Sequence, residues 1–92
     1  MATLHMDTDG ARGVQSNMVN THGNLTSTVS TMTSAVQGMV GSTWIGASAT
    51  EFMAEYDNWR NTMNQLLDAL NQLNTRLQTE IAEWESMSSK LA

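Results

Sequence analysis

The second half of the chain carries its apolar side chains at a strict spacing. Phe52, Tyr56, Trp59, Met63, Leu66, Leu70, Leu73 and Leu77 follow one another at intervals of four and three in alternation. That is the heptad rhythm of a helix packing lengthwise against another helix. The rhythm slips by one residue to Ile81 and resumes at Trp84 and at Met87 or Ser88, as a small local stutter would. Met53, Leu67 and Ile81 lie on a flanking line, so the apolar face is wider than a two-helix seam needs. Glu, Gln, Asn and Arg fill the positions between. The pattern predicts a helix over about 48–89, roughly 60 Å long at ~1.5 Å per residue.

The first half keeps a helical period in a less favourable composition. Val14, Met18, Leu25, Val29, Met32, Val36 and Met39 fit one face, with Thr21 filling the gap between Met18 and Leu25. The rest is largely Ser, Thr and Asn, and Gly23 falls in the middle at a cost of up to ~1 kcal/mol relative to alanine. Apart from His22, no side chain from Gly13 to Thr50 carries a formal charge. A flexible Ser/Thr linker over about 23–43 is the competing reading, and the regular apolar spacing argues against it. A helix over about 8–40 is therefore predicted, imposed by packing rather than by propensity. Asp7 or Asp9 can cap its start, and Gly38 and Gly41 suit its end.

Between the two periodic halves stands STWIGASATEF, residues 42–52. Gly46 can take backbone angles closed to other residues. Ser48 and Glu51 have the spacing of a capping box, in which each side chain accepts from the other residue's amide. Losing the Ser48 cap should cost ~1 kcal/mol. A turn over about 41–47 then joins the helices, with Trp44 laid across the end of the pair as an apolar plug. The expected fold is all-α: a single domain over 1–92, an antiparallel helix-turn-helix hairpin. One hairpin would leave the wide face of the second helix wet, and such patches mark interfaces. A second hairpin packed on that face makes an elongated four-helix-bundle dimer. Val14, Met18, Leu25, Val29, Met32, Val36, Phe52, Tyr56, Trp59, Met63, Leu66, Leu70, Leu73, Leu77 and Ile81 are the expected bundle and dimer packing residues.

Composition narrows the function classes. The chain has neither cysteine nor proline and eight methionines, so no disulfide or zinc cluster staples it. Four basic against nine acidic residues, a net charge of −5, argue against a nucleic-acid partner. No apolar run is long enough to span a bilayer. The N-terminal residues lack a basic segment followed by an apolar one, which removes a general secretory leader and by itself implies a cytoplasmic protein. Candidate chemistry is equally sparse. His5 and His22 have no triad partners, and Asp7-Thr8-Asp9-Gly10 opens like a calcium loop without its later ligands. Glu80, Glu83 and Glu85 read as a solvated face, and Asn24-Leu25-Thr26 is a glycosylation triplet inside a helix. No catalytic residue, metal site, cofactor or small-molecule substrate is expected, and the protein reads as a non-enzyme.

A chain of this size, with two amphipathic helices and Trp44-Ile45-Gly46 in the central turn, followed by ASATEF and YDNW, resembles the WXG family of hundred-residue proteins. These are early-secreted-antigen-like substrates of bacterial type VII (ESX) secretion. The resemblance implies a hairpin that pairs with a paralogous WXG protein, preferred here, or with itself. It implies export without a cleaved signal peptide through a complex containing a secretion ATPase, which reverses the cytoplasmic inference. It assigns Trp44 and Gly46 to the turn motif. The resemblance implies a secretion signal that commonly includes Tyr-x-x-x-Asp/Glu just after the second helix in one member of the dimer; here Trp84 stands in the tyrosine position and Ser88 replaces the acid. Tyr56 is followed four residues on by Arg60, so it does not supply the motif either. That degenerate signal, close to the chain end, favours travel with a motif-bearing paralogue. Two other roles compete: an adaptor or chaperone for the helical domain of a larger secreted effector, and a cytosolic helical scaffold.

Overall fold

The computed structural model describes residues 5–91, with side chains through Met87. The first helix, α1, spans Thr8–Met39, and the second, α2, spans Ala47–Leu91. Asp7 caps α1, its Oδ1 accepting from the Gly10 amide at 3.1 Å. That anchors one of the unpaired donors every helix start leaves open. Threonine hydroxyls that would compete with the helix instead bond its carbonyls four residues back: Thr26 to His22, Thr28 to Asn24 and Thr33 to Val29. The polar composition of α1 is thereby absorbed without breaking the backbone ladder.

The two helices run antiparallel as a rod with extents of 69 × 21 × 19 Å. On α2 the positions turned inward are Ala49, Met53, Tyr56, Arg60, Met63, Leu67, Leu70, Asn74, Leu77, Ile81 and Trp84, which are buried or half-buried. Their spacing alternates four and three without a break. The slip expected at Ile81 does not occur, because Ile81 continues the Leu67–Asn74 line and Trp84 continues the Leu70–Leu77 line. The contact seam is thus rotated relative to the one read from the largest side chains. Tyr56, Met63, Leu70 and Leu77 belong to both, but Trp59, Leu66 and Leu73 turn away from α1 and are exposed. The physical reason is width: α2 is apolar over more than the seam, and the line containing Leu67 and Ile81 is the one α1 covers.

On α1 the facing positions include Ala11, Gln15, Met18, His22, Val29, Thr33 and Val36, all at least half-buried. The best-buried apolar side chains are Val29, Ala49, Tyr56, Leu67 and Ile81. A side-chain hydrogen bond crosses the seam, between Tyr56 Oη and Thr33 Oγ1 at 2.7 Å. Since Thr33 already donates its only hydroxyl proton to the Val29 carbonyl, Tyr56 is the donor. Asn74 also lies inside, with its Oδ1 buried and unpaired. Such polar positions fix helix register at a cost in stability.

Candidate docking face and turn

The turn is built on one carbonyl. Met39 O accepts from the amides of Ser42, Thr43 and Trp44 at 3.3, 3.1 and 3.1 Å, and Gly41 N donates to Trp44 O at 2.9 Å. Closing that loop requires Gly41 at φ 90°, and leaving it requires Gly46 at φ 136°, both in the region open chiefly to glycine. Trp44 folds back over the start of α2, its ring 5.3 Å from that of Phe52. It covers the closed end of the pair and is half-buried there. Ile45, the middle residue of the motif, points out and is 77% exposed.

The expected capping box is absent. α2 begins at Ala47, so Ser48 is already helical, and no hydrogen bond among the described residues joins it to Glu51. The swing at Gly46 lets the chain enter the helix before Ser48, which removes the extended geometry a capping side chain needs. The Thr50 amide is instead received by the Gly46 carbonyl at 3.2 Å, with the Thr50 hydroxyl also aimed at that oxygen at 3.4 Å. Glu51 lies past the first turn, where the helix dipole is largely spent.

The two sides of the rod differ in chemistry. Antiparallel helices are related by a two-fold axis normal to their common plane. A step of three residues from an inward position therefore turns to the same face on both helices. On α1 this brings Leu25 and Met32 to that face. On α2 it brings Met63, Leu70 and Leu77 to its edge, and Trp59, Leu66 and Leu73 to its middle. Leu66 and Leu73 are 58% and 59% exposed. The Tyr56 and Trp59 rings, 5.5 Å apart, link the covered line to the uncovered one. The reverse side holds Thr26, Ser30, Gln37, Asn64, Asn71 and Gln78, with Val19 as an exposed apolar exception. The first face is largely apolar; the second is polar, and four-residue steps from Met53 and Ile81 add the carboxylates of Asp57 and Glu85 to its amides and hydroxyls.

At the open end, Arg12 of α1 pairs with Glu85 of α2, the one ion pair joining the two helices among the described residues. Trp84 is half-buried on the inward line beside it, and the side chain of Ser88 lies outside the described residues. Val14 is exposed near this end. No three metal-binding side chains converge among the described residues, and no described helix is long and apolar enough to cross a membrane. Sequence reasoning missed the Tyr56–Thr33 tie and the Arg12–Glu85 pair, since neither has a local signal. It also missed that Glu80 continues the exposed line, which a count of seven from Leu73 would have shown. A family model described as proteins of 100 residues with WXG matches residues 3–88. No curated protein and no solved structure matches the chain.

Proposed function

The chain belongs to the WXG family of hundred-residue proteins, small helical proteins of the type VII secretion kind, and from that premise we propose that it is a non-enzymatic substrate and secretion partner. In this reading it is half of a four-helix bundle, paired through the face centred on Trp59, Leu66 and Leu73. The observation that carries the reading is that face: large apolar side chains left exposed along a hairpin that has already closed its own seam. A paralogous hairpin is the partner, and the pair leaves the cytoplasm without a cleaved leader, driven by the secretion ATPase. Trp44 and Gly46 hold the shape of the closed end, and Trp84 with Ser88 occupies the degenerate signal position.

Two measurements test this. The protein should reach the culture supernatant only when the type VII ATPase is intact; equal release from an ATPase-deficient strain would remove the export role and leave the scaffold reading. Light scattering on the chain purified alone and after co-expression with the adjacent paralogue should give a two-chain species in the second case. Trp44→Ala should lower export more than it lowers helix content, because Trp44 packs on Phe52 at the tip rather than in the seam. Export unchanged beside the wild type would strip Trp44 of any recognition role.

A further inference from the structure

The line of α2 turned away from the seam runs Phe52, Trp59, Leu66, Leu73, Glu80 and Met87, each seven residues from the last, with Phe52 half-buried under Trp44 and Glu80 half-buried. Glu80 is its only charged member. Its side chain is 33% exposed, and one carboxylate oxygen accepts from Arg76 Nε at 3.0 Å. Arg76 sits further out, with its side chain 76% exposed. We propose that Glu80 selects the partner, reserving the apolar face for a non-identical hairpin that brings a lysine or arginine against this carboxylate. The inference rests on the docking face being the pairing surface.

Charge supply decides which partner fits. A partner laid over the face strips water from Glu80, and Arg76 engages only one of its oxygens. An acid covered by apolar side chains without a full set of donors opposes association. The described side chains of a second copy have little to offer in return; the Lys90 side chain lies outside them. Among the described side chains, Arg12 is committed to Glu85, Arg60 lies beside Asp57, and Arg76 is already on Glu80. Two copies would also bring together two chains of net charge −5. A single polar position in an apolar seam is an established way to choose partners at some cost in affinity.

The test uses the full chain and sedimentation equilibrium. Glu80→Gln removes the charge without adding apolar area and should tighten self-association several-fold. Glu80→Leu completes the apolar line and should tighten it about tenfold or more. Asp68→Leu makes the same charge change on the far side of α2 and should leave self-association unaltered. Wild-type-like association of both Glu80 variants, or equal tightening by Asp68→Leu, overturns the proposal. Adding Leu66→Asp to Glu80→Leu should return the chain to weak association. If it does not, the contact lies elsewhere, and the docking-face reading falls together with the selecting role. With the co-expressed paralogue, Glu80→Lys should weaken pairing more than Glu80→Gln; equal pairing by wild type and both variants refutes the demand for a base.

Discussion

Two glycines separate what a backbone demands from what a side chain contributes. Gly46 stands at φ 136° with open space where a Cβ would go, so any cost of substitution is conformational rather than steric. Gly46→Ala should therefore destabilise the protein by about 1–3 kcal/mol, the usual strain of a non-glycine residue held in such a region. Gly23 has ordinary helical angles and equally open space. Gly23→Ala should stabilise by about 0.5–1 kcal/mol. Urea unfolding of the two variants checks both: Gly46→Ala without a loss of stability would mean that the turn is not held in the geometry described, and a loss at Gly23→Ala would overturn the open-space reading of that position. The same logic explains why the W-x-G turn reads so clearly in the sequence. Its glycine is required by φ, and its tryptophan by the need to cover Phe52 at the closed end.

At the scale of the elements, the two helix starts use different devices. Asp7 caps α1 with its carboxylate, and Asp7→Ala should cost about 1 kcal/mol. Ser48 lies inside the first turn of α2, so Ser48→Ala should change stability by less than about 0.5 kcal/mol. Thermal unfolding distinguishes them; a loss at Ser48 as large as that at Asp7 would restore the capping box. The existence of both helices was legible because apolar residues recur with helical period even where propensity is poor. The seam was not, because α2 is apolar over an arc broad enough for two neighbours. Large side chains such as Trp59, Leu66 and Leu73 dominate a hydrophobicity reading, while the covered line includes Arg60 and Asn74, whose polar side chains fall between the apolar positions of that reading.

For the whole molecule, the shape leaves more surface than the chain can cover alone. Its accessible surface is 6782 Å², whereas a compact monomer of this mass exposes about 5,300 Å². Its radius of gyration is 20.7 Å, against about 12 Å for a globule of the same length. The excess area is that of a rod, and the apolar face runs along it. Inner and outer lines should then fail in different ways. Ile81→Ala removes a side chain only 2% exposed between the helices, and should lower the stability of the lone hairpin by about 2–5 kcal/mol. Leu73→Asp places a charge on the uncovered line and should leave the lone hairpin within about 0.5 kcal/mol of wild type. Its effect should fall instead on pairing with the co-expressed paralogue, where the buried carboxylate would have no counter-charge. Circular dichroism melts of the isolated chain, read beside light scattering of the co-expressed pair, separate the two. If Leu73→Asp unfolds the lone chain as readily as Ile81→Ala does, the line from Trp59 to Leu73 is part of the hairpin's own core and the apolar face is already spent.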